Sequence, residues 1–459
     1  MKLKIICLII VGLLVFSGIL PSIPGKSATE KIHNLETSNN NLISDVPYVG
    51  QETEIQCYMA STCMVLNYLN INTSINELLY YSGAGHSLWY PAFFPGLKGE
   101  RLPVFTPALG YTMKTRNLLA EIYGLNHEVW KKNSSIPQKQ DWEKEWNDLW
   151  PWIKNKISND TPIIIMVNEP PLLSDYFNYS LITKFLASFP ITFVAHYIVI
   201  TGYDENNNTV YYNDPAFNLF GRSDDGKYRS VDLSIFKSVV RDAALSQPYY
   251  YEAFVYENKT GPSLTLDEAF SKANTINIEK LKGNTSAYLD TNFDKSWNSD
   301  RLGINASIDM KKDFSKGINN RIKTFYRYKM NNRLGLYFRF KNFLSFFPES
   351  IISFLEFRPQ MNDAFKYVAV EKNNTLNYLK TIEPLLVDQN NSVICNDQIR
   401  LIEKEIQNWT KLDNYYSQFK KKGIFMSLPR GIYLMNKMEE TMDNIIAIEE
   451  EIILGPFNS

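Results

Sequence analysis

Cys57, His196 and Asp214 supply a thiol, an imidazole and a carboxyl, the three side-chain types that together let sulfur attack a carbonyl carbon. Sulfur reacts as its thiolate, so such a cysteine needs a proton acceptor and a local field that favours negative charge. Cys57 stands where CYMASTCMVLNYL takes up helical spacing, and the unpaired N–H groups and dipole of a helix start provide that field. Cys63 lies almost two turns further in and loses it, so Cys57 is expected to be the reactive thiol and Cys63 core packing. Gln51, six residues before Cys57, can fold back so that its amide and the Cys57 backbone N–H donate to one oxygen, forming an oxyanion hole. Taken by itself, Gln51 is more simply a polar turn residue.

The imidazole and carboxyl are tied together by a predicted hairpin. His196 opens HYIVITGYD, whose period of two puts His196, Ile198 and Ile200 on one face of a strand. ENNN then makes a turn and TVYYNDP returns, which brings Asp214 within a few residues of directly opposite His196. A carboxylate there can hold the imidazole tautomer and stabilise its cation. Of the other histidines, His33 falls in a linker, while His86 and His127 have no acid returned beside them and are expected to be surface structure. No HExxH, CxxC or glycine-rich phosphate loop occurs, so neither a metal nor another cofactor is expected.

These residues need a helix packed on a sheet, and the chain supplies both. Helical patterns at CYMASTCMVLNYL and EKEWNDLWPWIKNKI precede the β-branched and aromatic runs TPIIIMV, HYIVITGYD and TVYYND, which argues an α+β fold with an antiparallel sheet over residues 43–260. The tryptophans of EKEWNDLWPW read as a core-facing helix stripe. Past residue 261 the chain turns to long polar helix formers, predicting a mostly helical domain over 261–459. The aromatic stretch LGLYFRFKNFLSFFPESIISFLEF is interrupted by Arg339, Lys341, Pro348 and Glu349, and reads as core or interface rather than a membrane span.

Composition narrows the class of partner. A chain of 459 residues with a formal net charge of -1 has no broad basic footprint, so no nucleic-acid partner is expected. Lys2 and Lys4 precede the apolar run IICLIIVGLLVFSGIL, with small residues near Gly25, Ser27 and Ala28. Residues 1–28 therefore read as a secretory signal, or as an anchor if uncleaved, followed by a polar linker over 29–42. An extracellular or cell-surface location follows, with membrane association through the apolar segment. Removing Cys7 with the signal leaves Cys57, Cys63 and Cys395, an odd set for a disulfide framework. Helical rise separates Cys57 from Cys63 by about 9 Å, beyond the roughly 7 Å that a disulfide spans.

Gln51, Cys57 with ASTCMVLNYL, HYIVITGYDE and VYYNDP, in this order, resemble the bacteriocin-processing-type cysteine peptidases, family 39, and their stand-alone relatives in the papain-like superfamily. The match spans about residues 45 to 216. The resemblance implies a papain-like fold, a peptide or protein substrate, Cys57 as nucleophile, His196 as general base and acid, Asp214 as orienting residue and Gln51 as oxyanion donor. Many relatives carry Gly-Pro directly after the cysteine, where this chain has Tyr58 and Met59, so Tyr58 is expected to narrow the cleft. The insert from about His86 to Trp142 is expected to form a lid or pocket wall, and no ATP-binding cassette accompanies the domain. The expected activity is a thiol hydrolase cleaving a peptide or amide bond through a Cys57 thioester. Acyl transfer from the same thioester, and a non-catalytic peptide-binding module with a helical docking domain, remain the alternatives.

Overall fold

The computed structural model describes residues 41–53, 56–83, 88–89, 104–105, 113–130, 142–169, 171–172, 195–246, 252–258, 261–284, 302–312, 358–422 and 428–455. The predicted signal, most of the linker and the aromatic stretch at 334–357 lie outside the described residues.

The apolar run IIIMVN forms β5 (Ile163–Asn168), buried at every position. It occupies the middle of an antiparallel sheet, between β6 (Ala195–Asp204) and β9 (Ala253–Asn258). The full order is β4 (Leu125–Trp130), β9, β5, β6, β7 (Thr209–Asn213) and β8 (Arg229–Asp232), with β1 (Asn41–Leu42) pairing on the far end of β6. A strand buried on both faces needs cover on both, which accounts for unbroken hydrophobicity where a half-exposed strand would alternate.

Helices supply that cover. α1 (Cys57–Tyr68) is buried from Cys57 through Leu66, all round its circumference, and packs against β5 and β6. α4 (Trp142–Ser158) turns Trp142, Trp146, Leu149, Ile153 and Ile157 inward at helical spacing, so of the tryptophans predicted to face the core Trp146 is buried while Trp150 and Trp152 are half-buried at its edge. Trp146 meets Phe236 of α5 (Leu233–Ser246) edge-on, and α5 lies against β5. The architecture is the expected α+β.

The described part of the 86–142 insert does not behave as a separate lid or wall. It holds α3 (Met113–Ile122) and then β4, which pairs with β9 along its whole length and so completes the edge of the main sheet. His127 sits on this strand opposite Tyr256, half-buried. β2 (Leu88–Trp89) and β3 (Val104–Phe105) form a small separate ladder.

Beyond the sheet the described residues are mainly helical: α6 (Leu266–Leu281), a short helix over 304–312, α7 (Arg358–Ile382), α8 (Gln389–Lys422) and α9 (Leu428–Leu454). Thr265 and Glu268 close a reciprocal capping box at the start of α6. Phe365, Trp409, Met438, Met442 and Ile445 form a core among the long helices. Beside it lies the buried Lys372–Glu405 ion pair at 2.7 Å, whose carboxylate also accepts from Trp409 Nε1.

The principal core runs from the sheet into these helices. Its members include Tyr58, Ile165 and Phe254, and equally Phe270, Leu376, Tyr378, Leu379 and Ile402. α2 (Ile75–Ser82) makes the join: Tyr80 stacks on Phe270, and Tyr378 Oη donates to Tyr81 Oη at 2.6 Å. Lys280, buried in α6, donates to the Ser82 carbonyl at the C-terminal end of α2, satisfying one of the carbonyls a helix end leaves open. Among the described residues, no helix is long and apolar enough to cross a membrane.

Candidate active site

Cys57 is the first residue of α1, so its backbone N–H is one of the helix-end donors with no intrahelical acceptor. It is 3% exposed, as is His196. Ser61 Oγ, one turn into the helix, donates to the Tyr197 carbonyl at 3.1 Å and fastens α1 to the strand that carries His196.

The predicted hairpin forms, with a register shift between Ile200 and Gly202. Its last pairs are Ile200 with Tyr212 and Val199 with Asn213, so Asp214 lies just past the ladder. There the Asp214 side chain accepts from Ala216 N at 3.0 Å and starts the 3-10 turn Pro215–Phe220. The same Oδ1 lies 2.8 Å from His196 Nε2. That contact occupies one ring nitrogen, and the Cys57 side chain is close enough to the ring to raise its proton affinity.

The backbone at Asp214 is fixed from two further sides. Its N–H donates to the Gly226 carbonyl at 2.8 Å, and its own carbonyl accepts from Tyr48 Oη at 2.9 Å. A Cβ on Gly226 would stand 2.5 Å from Tyr48 Oη and 2.6 Å from the Asp214 carbonyl oxygen, so only glycine fits there.

Gln51 reaches the same place through the backbone. Gln51 N donates to the Pro215 carbonyl at 3.1 Å, and Asn218 Nδ2 donates to the Gln51 carbonyl at 2.8 Å. The side chain is buried; Nε2 donates to Thr53 O at 2.9 Å, leaving its second hydrogen, while Oε1 is buried without a hydrogen-bond partner. The structure thus brings Cys57, His196 and Asp214 together and sets the Gln51 loop against the turn that follows Asp214.

A further carboxyl belongs to this constellation. Val167 pairs directly with His196, and Glu169 follows two residues on, just past the end of β5, close enough for its charge to act on the imidazole. Burial alone lowers the His196 pKa, but Glu169 first and then Asp214 outweigh it, so the imidazole binds its proton well above the ordinary histidine range. Burial pushes the Glu169 carboxyl up in turn; Asp214 adds to this and His196 opposes it. Sequence reasoning passes over Glu169 because its strand reaches β6 by a long connection rather than a tight turn. The available signal is the end of an apolar run just before Pro170 and Pro171.

Tyr58 does not narrow the cleft as expected. It is 0% exposed and points into the core, edge-on to Tyr197 with ring centroids 5.3 Å apart and 5.7 Å from Phe254. Its hydroxyl lies within electrostatic reach of Arg116 and Tyr256, and Arg116 forms a buried ion pair with Glu252. Adjacent helix residues point about 100° apart, so a first-turn cysteine turned to the site sends its neighbour elsewhere.

Cys63 is core, as predicted. Its Sγ donates to the Thr73 carbonyl at 3.3 Å, and burial, with Glu77 adding, pushes the thiol up to about 12. Cys57, Cys63 and Cys395 are all free. Among the described residues no cluster of His, Cys, Asp or Glu is arranged to hold a metal ion. A cavity of about 250 Å³ opens elsewhere, between α6, α8 and α9, and none of the residues above lines it.

No curated protein matches the chain. Residues 43–243, somewhat under half of the sequence, match the Peptidase_C39 like family, so the likeness drawn from Gln51, Cys57, His196 and Asp214 is to a cysteine-peptidase family and extends through β8 into α5.

Proposed function

We propose that the chain is a thiol hydrolase that cleaves a peptide or amide bond through a thioester on Cys57. The observation that carries this reading is an imidazole held at 2.8 Å by a buried carboxylate, with a first-turn cysteine close enough to raise its proton affinity.

In the proposed sequence His196 Nδ1 takes the proton from Cys57 Sγ, while Asp214 holds the Nε2–H tautomer. The raised proton affinity of His196 favours the imidazolium that must sit beside a thiolate. Sulfur attacks the carbonyl carbon, and the oxygen gains negative charge facing the Cys57 backbone N–H and the Gln51 amide. The C–N bond breaks as His196 returns its proton to the departing amine. Water then gives a proton to the imidazole, its oxygen attacks the thioester, and the proton goes back to sulfur as the acid leaves.

The substitution after Cys57 favours a binding-only cleft only if Tyr58 lies in the groove, and it lies in the core. The experiment is turnover of a peptide mixture followed by mass spectrometry, with Cys57→Ala and His196→Ala as controls. Loss of turnover in both supports the reading; full turnover by Cys57→Ala ends it. Added amines that become joined to the acyl fragment identify acyl transfer instead of hydrolysis. The same proposal places the enzyme outside the cytoplasm or on the cell surface, on the strength of the Lys2, Lys4 and apolar pattern at the N-terminus.

A further inference from the structure

The segment from Gln51 to Gln56 carries one oxyanion donor and leads directly into the other, and its described residues, 51–53 and 56, lie outside helix and strand. Its shape is set by two side chains. Gln56 Oε1 accepts from Glu52 N at 2.8 Å and from Thr53 N at 3.3 Å, folding the loop back on itself. The Thr53 carbonyl accepts from Gln56 N at 3.2 Å and from Gln51 Nε2 at 2.9 Å. The direction of the Gln51 amide therefore depends on where Thr53 and Gln56 are held.

Both are held from α7, more than 300 residues away. Glu371 Oε1 accepts from Thr53 Oγ1 at 2.6 Å and from Gln56 Nε2 at 2.9 Å. One turn further on, Asn374 Nδ2 donates to Glu52 Oε2 at 3.0 Å. Glu371 is 0% exposed and its contacts are to neutral donors, while the neighbouring Lys372 pairs with Glu405. Burying a carboxyl without a cation is costly, and a leucine would serve packing better. What the carboxyl adds is a single oxygen that accepts from both donors and so fixes Thr53 and Gln56 together, while its Oε2 is buried without a hydrogen-bond partner.

We propose that Glu371 and Asn374 are positioning residues for the oxyanion loop, so that the helical region completes the site which residues 43–243 contain only in part. This rests on the thioester reading above. Glu371 touches no reacting atom; it acts through Thr53 on the Gln51 amide and through Gln56 on the start of α1.

The test uses the full chain with Glu371→Leu, Glu371→Gln, Asn374→Ala and Thr53→Val. Alkylation of Cys57 by iodoacetamide forms no oxyanion, whereas a peptide aldehyde binds as a hemithioacetal whose oxygen occupies that hole. Glu371→Leu and Thr53→Val are expected to lower kcat roughly tenfold to a hundredfold and to weaken the aldehyde in parallel, with KM and the alkylation rate within about twofold. Asn374→Ala is expected to show a smaller loss of the same kind. Glu371→Gln keeps a carbonyl oxygen for both donors and is expected to restore most of the turnover. If Glu371→Leu does not fold, Thr53→Val decides alone. Unchanged kcat and aldehyde affinity in the folded variants, or equal losses in kcat and alkylation, overturn the inference. Full activity in Cys57→Ala overturns the thioester reading itself, whereas an inactive Cys57→Ala beside a normal Glu371→Leu overturns this inference alone.

Discussion

His196 Nε2 and Asp214 Oδ1 lie 2.8 Å apart although no strand pairing joins their residues, because the two side chains meet just past the last rung of the β6–β7 ladder. The carboxylate is held by its turn, which uses the same oxygen to accept from Ala216 N. Asp214→Asn keeps the shape and an acceptor for Ala216 while removing the charge that stabilises the imidazolium. A fall in kcat of roughly a hundredfold to ten-thousandfold is expected with little change in melting temperature. Asp214→Ala adds the loss of the cap, about 1 kcal/mol in thermal unfolding. A fully active Asp214→Asn enzyme contradicts both the geometry and the role drawn from it.

Glu169 exerts the largest single charge effect that raises the proton affinity of His196, and Asp214 adds both its charge and a hydrogen bond. Removing a negative charge disfavours the imidazolium, so Glu169→Gln is expected to move the His196 titration to lower pH. NMR of the ring protons reads this directly, and the pH profile of Cys57 alkylation is expected to move the same way. An unmoved titration would place Glu169 outside the electrostatics of the site.

The three thiols are predicted to separate sharply. Burial pushes Cys63 and Cys395 up to about 12 each, with Glu77 and Glu383 adding to the effect. At pH 8 only about one molecule in ten thousand then carries either thiolate. Iodoacetamide at that pH is expected to modify Cys57 in the folded chain, and all three after denaturation. Peptide mapping that finds Cys63 alkylated as fast as Cys57 in the native protein would reverse the assignment.

Lys280 links stability to alkaline pH. Burial, with Lys114 adding, lowers its pKa from the usual value to about 7. Between about pH 7 and 10.4 the unfolded chain binds the proton and the folded chain does not. Stability from this group is therefore fully present above the unfolded pKa and is lost as pH falls to about 7, a change of about 5 kcal/mol at most. Urea unfolding across that range is expected to show the rise in the wild type and a flatter profile in Lys280→Met. A wild-type profile that falls with pH in this window, with Lys280→Met parallel to it, would refute the linkage.

The parts of the site that were legible in the sequence are those governed by local pattern. A helix start at Cys57 and a tight turn between two alternating strands are short-range features, and they brought the thiol, imidazole and carboxyl together. The α+β class followed from the same patterns. The direction of Tyr58 was not legible, since it depends on which side of α1 the sheet covers. LNHEVW did not announce itself as a strand of the main sheet, because its partner β9 comes more than 120 residues later. Glu371 left no trace either: nothing near it in the chain distinguishes a carboxyl that holds Thr53 from any other acid on a helix.

The brace on the Gln51–Gln56 loop has a consequence for biosynthesis. Translation yields Cys57 early and Glu371 some 300 residues later, so a growing polypeptide holds its thiol for most of its manufacture without the clamp that shapes the donor loop. On the proposed roles, a chain still emerging from the ribosome carries its thiol before the helix that braces the donor loop exists.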